Sequence, residues 1–168
     1  NNVPLPLYND YFAALSNTIN RNRILPGLSI ETARGCWWGE RQHCLFCGLN
    51  GGSMEFRAKS ADAVIEDMET LKARHGFARF EAVDNIMASS FLDTLVPAIK
   101  GRDYNVFYET KANLKPEEVK ALSESGIRWI QPGIENLDTR MLKLMRKGVT
   151  AWNNIRLLRS CRQYGVRL

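Results

Sequence analysis

The sequence has no hydrophobic run near the ~20 apolar residues that a membrane helix needs, no low-complexity tract, and few cysteines and histidines (four and two). The first lack argues against a helical membrane protein, and the second against a disordered or repetitive chain. The opening Asn1-Asn2-Val3-Pro4 carries neither a basic nor an apolar segment, so no secretory leader is read there. Nor is there a disulfide framework. Three cysteines lie between positions 36 and 47 and the fourth stands apart at 161. Clustered thiols of this kind point to a reducing, cytoplasmic compartment and to a metal. An initiator methionine is missing too, and the closing Gly165-Val166-Arg167-Leu168 reads as the opening of a strand. Both ends are therefore expected to be cut from a larger protein.

What remains is the composition of a soluble globular protein, and 168 residues suit one core but not two ordinary domains. The net charge of +5 is scattered over Arg21, Arg23, Arg34, Lys143, Arg146, Lys147, Arg156, Arg159 and Arg162. Without a basic block, solvated helix faces explain it better than a nucleic-acid surface does.

Residues 1–27 read as a lead-in with one helix over 11–20, closed by Leu25-Pro26-Gly27, and residues 28–168 as one domain. Within the domain the pattern alternates. A strand over 28–33 enters the cysteine loop. Ser60 caps a helix carrying Val64, Ile65, Met68 and Leu71 on one face, with Gly76 as its stop. A strand over 77–83 precedes a helix striped by Phe91, Leu92, Leu95, Val96 and Ile99 and ended by Gly101. A strand over 104–108 comes next, then a helix opened by Pro116 and stopped by Gly126, then a strand over 127–130. Helices over 138–146 and 152–164 follow, stopped by Gly148 and Gly165. Repeated strand–helix units imply an α/β fold with a parallel sheet, open or curled towards a barrel. In either form the reactive site lies at the C-terminal strand ends. Cys36, Asp84 and Asn85, Glu109 and Lys111, and Gln131 and Glu135 all fall just after successive strands, so they are expected on one rim.

Cys36, Cys44 and Cys47 are separated by seven residues and then two. Thiolates suit zinc or iron–sulfur. Structural zinc wants four closed ligands, but His43 adjoins Cys44 and no second Cys-x-x-Cys pair exists. Cys161 falls in a helical stripe with Ile155 and Leu158 and reads as a core thiol, while His75 reads as a helix C-terminal residue without chemistry. Three thiolates can instead hold three irons of a cubane cluster and leave the fourth open to a ligand. Gly51-Gly52 reads as a turn leaving this loop, since neither a Lys-Ser/Thr pair nor a helix start follows as in a phosphate loop.

The residues around the cysteines carry a family resemblance. Glu31-Thr32-Ala33-Arg34-Gly35-Cys36-Trp37-Trp38-Gly39-Glu40 and His43-Cys44-Leu45-Phe46-Cys47-Gly48-Leu49-Asn50-Gly51 resemble the radical S-adenosylmethionine enzymes. More narrowly, they look like the cobalamin-dependent C-methyltransferases that mature ribosomally synthesised peptides. Tyr108-Glu109-Thr110-Lys111-Ala112-Asn113-Leu114, Gln131-Pro132-Gly133-Ile134-Glu135-Asn136-Leu137 and Leu144-Met145-Arg146-Lys147-Gly148-Val149-Thr150 share that likeness. The cysteine spacing departs from the family's commonest three-and-two pattern; the longer spacing, with an aromatic before the last cysteine, occurs in branches that also use cobalamin.

The resemblance implies a partial (β/α) barrel of parallel strands, truncated after about four of the family's usual six units. It implies a 4Fe-4S cluster on Cys36, Cys44 and Cys47, with S-adenosylmethionine chelated at the vacant iron and cleaved to a 5′-deoxyadenosyl radical. Asp84 and Asn85 stand where the family has a Gly-Gly-Glu motif for the methionine ammonium; Phe46 would present its backbone to adenine, and Lys111 would pair with the methionine carboxylate or with Glu109. Gln131 and Glu135 would hold the ribose, and Trp37 and Trp38 would shield the cluster or pack the loop. A peptide substrate, a flavodoxin- or ferredoxin-type electron donor, and cobalamin on a domain of the parent protein preceding Asn1 complete the expectation. Another radical S-adenosylmethionine reaction, such as RNA methylthiolation, and a zinc-stabilised binding module are the alternatives.

Overall fold

In the computed structural model, which describes residues 4–48 and 53–168, the first helix is α1 (Asn9–Ser16), followed by a 3-10 turn at Arg21–Arg23. This helix begins and ends earlier than the expected 11–20. Its Phe12 stacks on Phe77 and His75, with centroids 5.0 and 5.2 Å apart, and this packing seats the lead-in against the domain. The Gly51-Gly52 turn lies outside the described residues.

The expected strand over 28–33 divides. Leu28–Ile30 (β1) joins the main sheet, whereas Ala33–Arg34 (β2) turns away, and the short helix Trp37–Arg41 (α2) follows within the cysteine loop. Arg57–Ala58 (β3) pairs antiparallel with β2, Ala33 against Ala58. This two-residue ribbon closes the base of the cysteine loop. It is too short to leave an alternating pattern in the sequence.

Ala61–His75 (α3) forms as the sequence indicates. Ser60 Oγ accepts from Ala63 N at 3.2 Å, and Gly76 ends the helix at φ 73. Its inner face buries Val64, Met68 and Leu71. Arg79–Ala82 (β4) comes next. The single helix expected around 91–99 is instead a 3-10 turn at Ser89–Leu92 and a separate helix, Leu95–Ile99 (α4). Pro97 explains the break: it has no N–H to donate, so a helix containing it is tolerated only when it falls in the first turn.

Asn105–Thr110 (β5), Pro116–Glu124 (α5) and Trp129–Pro132 (β6) continue the alternation. Thr139–Leu144 (α6) starts at Asp138, whose Oδ1 accepts from Arg140 N at 2.6 Å. Ala151–Tyr164 (α7) starts with a capping box between Thr150 and Asn153. Its buried face is Asn154, Leu157, Ser160 and Cys161, not the Ile155–Leu158–Cys161 stripe; Ile155 is exposed and Cys161 is the core thiol expected.

The sheet runs in the order β1-β4-β5-β6 with every pairing parallel. Beyond β6, Arg167 bridges Trp129 in parallel, as the expected opening of a further strand. The architecture is thus an open parallel α/β sheet, the partial core expected, with no closed barrel among the described residues. Leu28, Phe80, Val106, Tyr108 and Ile130 form its buried strand residues, packed beneath α3, α4 and α5. Among the described residues no helix is long and apolar enough to cross a membrane.

A buried polar knot ties three strand ends together. Asp84, just past β4, accepts at Oδ1 from Thr32 N (2.8 Å) and at Oδ2 from the Thr32 hydroxyl. The Thr32 hydroxyl also lies 3.0 Å from the hydroxyl of Tyr108 in β5. Burial pushes the Asp84 carboxyl from 3.8 up to about 6, with the Thr32 hydrogen bonds pulling part of the way back. Its native value lies above its unfolded one, so the native state binds the extra proton. This contribution to stability is present below pH 3.8, is lost as pH rises to about 6, and is flat above. Asp84→Asn, uncharged throughout, is expected to remove that portion of the slope. Urea denaturation of both proteins from pH 4 to pH 7 checks it, and a difference between them that does not change with pH counts against the assignment.

Candidate functional site

At the C-terminal ends of β4, β5 and β6 the strands open onto a cavity of about 340 Å³. The cysteine loop supplies Cys36, Cys44, Cys47, Phe46 and Trp38 to its wall. Asn85 arrives from the turn after β4, Glu109 and Lys111 from the end of β5, Gln131 from β6, and Glu135 from the loop that follows. Nine of the ten expected site residues thus surround one space, six where the strand-end rule of a parallel sheet puts them and Cys44, Phe46 and Cys47 from the cysteine loop.

Asp84 is the tenth, and it does not line the cavity. It is 2% exposed and its carboxylate is turned onto Thr32. Of the Asp84-Asn85 pair, only Asn85 reaches the space above the sheet.

The cysteine loop is built from a tight start and long-range support. Gly35 has φ 84, and a Cβ there would stand 1.9 Å from the Glu55 carbonyl, so only glycine fits. Cys36 then begins α2, its Sγ accepting from Gly39 N at 3.3 Å. Cys47 N donates to Cys44 O at 3.1 Å, folding the last two cysteines into one turn. A helix as short as α2 is not stable by itself; tertiary contacts hold it. The Trp37 indole N–H donates to Met87 O and that of Trp38 to Arg146 O, both at 3.0 Å. Leu45 N donates to Met145 O at 3.2 Å.

Charge in the cavity is mixed. Lys111 is largely buried; its Nζ sits 3.6 Å from the Trp38 ring centroid and donates to Lys147 O. Burial pulls the Lys111 ammonium down to about 8, with Lys147 adding to the shift and Cys44 and Cys36 opposing it. Lys147 Nζ pairs with Glu135 Oε1 at 3.1 Å and lies 5.6 Å from the Phe46 ring. Burial raises the Glu109 carboxyl. Burial also raises the Cys44 thiol; Lys147 and Lys111 pull it back, while Cys36 and Cys47 push it further up. The Cys44 thiol thus feels the charge of both its neighbours on the loop.

Sequence reasoning missed Lys147, which lines the cavity beside Cys47 and Glu135, and gave no role to the Met145–Lys147 backbone. Both fall between two helices, where periodicity carries no signal. Trp37 and Trp38 act as loop anchors, and His75 stacks on Phe12.

The donor set fits an iron–sulfur cluster better than zinc. Among the described residues no three His, Cys, Asp or Glu side chains converge as ligands of a single ion would. Three thiols from one loop on the same cavity are a donor set that would suit three irons of a cubane cluster.

Comparison with known proteins agrees with this chemistry. The radical SAM superfamily model matches residues 30–168. An uncharacterized methyltransferase of Pyrococcus horikoshii is 25% identical over 146 residues, covering 82% of this chain and 30% of that protein. The cobalamin-dependent S-adenosylmethionine radical enzyme OxsB, with aqua-cobalamin bound, superposes with a TM-score of 0.69 at 18% identity, over 84% of this chain and 23% of OxsB. HydG, a maturase of the [FeFe]-hydrogenase, superposes with a TM-score of 0.54 at 16% identity, over 82% of this chain and 32% of HydG. The two structural likenesses establish the fold. The chain spans less than a third of the length of each of these relatives.

Gly148 closes the loop behind Lys147 at φ 65, and a Cβ there would meet the Trp38 ring at 2.1 Å. Gly148→Ala is expected to cost about 1–3 kcal/mol, read as a lower urea midpoint. In a Trp38→Ala background only the left-handed backbone cost should remain, roughly 1 kcal/mol. An equal penalty in both backgrounds would show that the indole is not the constraint.

Proposed function

The chain belongs to the radical SAM superfamily, and from that premise we propose that it forms the S-adenosylmethionine-binding core of a cobalamin-dependent C-methyltransferase. One observation carries the reading: three thiols from one loop share a cavity with polar residues from the ends of three later strands. Cys36, Cys44 and Cys47 hold a 4Fe-4S cluster. A cluster held there would bind S-adenosylmethionine at its open iron and, once reduced, would supply the one electron that cleaves the S–C5′ bond to methionine and a 5′-deoxyadenosyl radical.

The chain's own residues bind and orient. Asn85 offers an amide oxygen to the methionine ammonium, the role that Asp84, committed to Thr32, does not take. Lys111 and Lys147 supply positive charge beside the thiolates and the methionine carboxylate. Gln131 and Glu135 accept from ribose hydroxyls, Glu109 lines the cavity beside Gln131, its partner across the β5–β6 pairing, and Phe46 presents its backbone to adenine. Trp38, packed over Lys111, keeps water from the thiol side of the cavity.

The finer reading is methylation of an unactivated carbon in a ribosomally synthesised peptide, with cobalamin carried by another domain of the parent protein and electrons delivered by a flavodoxin- or ferredoxin-type donor. The sequence likeness of the cysteine loop and strand-end segments to peptide-maturing methyltransferases supports it. So do the methyltransferase name of the Pyrococcus relative and the fold shared with OxsB.

Anaerobic reconstitution with iron and sulfide tests the core claim. The chain is expected to turn brown and, on reduction, to cleave S-adenosylmethionine to 5′-deoxyadenosine and methionine. Cys44→Ala should lose both cluster uptake and cleavage. Stoichiometric zinc with no uptake of iron and sulfide would overturn the proposal.

A further inference from the structure

A buried amide bonds the loop that carries Glu135. Asn154, on the inner face of α7, is 0% exposed. Its Nδ2 donates to Ile134 O at 2.8 Å and to Asn136 O at 2.7 Å. These carbonyls belong to the two residues flanking Glu135, whose backbone stands at φ 55, a conformation that side chains other than Gly, Asn and Asp rarely adopt. The Glu135 carboxylate meets Lys147 Nζ at 3.1 Å, and both residues line the cavity.

The amide's orientation follows from its surroundings. Turned about, it would set Oδ1 against two carbonyl oxygens; as it stands, Oδ1 is buried without a partner. A buried polar atom left unpaired is costly. The two donated bonds are the compensating feature, and both go to the loop holding Glu135.

We infer that Asn154 is a positioning residue for the cavity. By clamping the carbonyls on either side of Glu135, it holds that residue in its left-handed conformation with the carboxylate towards the ligand. It thereby sets the affinity for S-adenosylmethionine without touching it. The inference rests on the reading of the cavity as an S-adenosylmethionine site.

A double-mutant cycle tests it, with S-adenosylmethionine affinity measured by equilibrium dialysis on the reconstituted chain and with iron content and urea midpoint recorded alongside. Asn154→Leu keeps the volume and removes both donors. It is expected to weaken binding about tenfold while leaving the iron content unchanged. In a Glu135→Ala background the same substitution should change binding less than about twofold, because the group it positions is gone. Equal weakening in both backgrounds, or no weakening in either, overturns the inference. Where Asn154→Leu does not fold, Asn154→Ser keeps one donor and is read by the same two-background comparison. A wild-type chain that takes up the cluster but not S-adenosylmethionine refutes the function proposed for the cavity, and the role of Asn154 with it. A wild type that binds, with no coupling between Asn154 and Glu135, refutes the positioning role alone.

Discussion

The hydrogen bonds joining Thr32, Asp84 and Tyr108 fasten the ends of β1, β4 and β5 at one buried point. A buried carboxylate is costly unless its lone pairs are used, and Asp84 uses both oxygens on a single residue, the one at which the chain leaves the main sheet. Everything that emerges above this knot emerges side by side: the cysteine loop after β2, Asn85 after β4, Glu109 and Lys111 at the end of β5. It also sorts the neighbours Asp84 and Asn85. Asp84 is held down onto Thr32, and the bend that starts at the next residue carries Asn85 to the cavity.

The cysteine loop itself contributes little to its own order. Its helix α2 has five residues and its base is a ribbon of two residues a side. The support comes from about a hundred residues away, where three successive carbonyls act on it and on its neighbour: Met145 O receives Leu45 N, Arg146 O receives the Trp38 indole, and Lys147 O receives the Lys111 ammonium. Backbone carbonyls thus hold the cysteine loop and Lys111, beside the one side-chain ion pair at the cavity among the described residues, Lys147–Glu135.

This division explains what could be read from the sequence. Ser60, Gly76, Pro116 and Gly165 act locally, through caps and turns, so the helices they bound were legible. The alternation of strand and helix carries its own rule about strand ends, and so Cys36, Asn85, Glu109, Lys111, Gln131 and Glu135 were placed together without coordinates; Cys44, Cys47 and Phe46 came from the cysteine spacing and the family resemblance. Asp84 was misdirected because a residue after a strand can face either way, and the choice depends on Thr32, 52 positions earlier. Lys147 and the carbonyls of 145–147 were invisible for the same reason: their partners are distant, and a backbone oxygen has no signature in the side-chain pattern. The helix over 91–99 failed for a local reason that was available, Pro97, which outranks the apolar stripe.

Strain marks the same region independently. Among the described residues two that are not glycine have positive φ, Glu135 at 55 and Arg146 at 57. Glycine would adopt either conformation at less cost. At Glu135, however, glycine would remove the carboxylate that faces Lys147 and the cavity. At Arg146 the left-handed backbone accompanies the carbonyl that receives the Trp38 indole, one residue before the carbonyl that receives Lys111. Each strained residue is held by bonds from elsewhere, Glu135 through Asn154 and Arg146 through Trp38. Backbone strain that surrounding structure over-determines clusters at functional sites. Here Glu135 lines the cavity and Arg146 immediately precedes Lys147, which also lines it, so the conformational cost falls on the segments that bring Glu135 and Lys147 together.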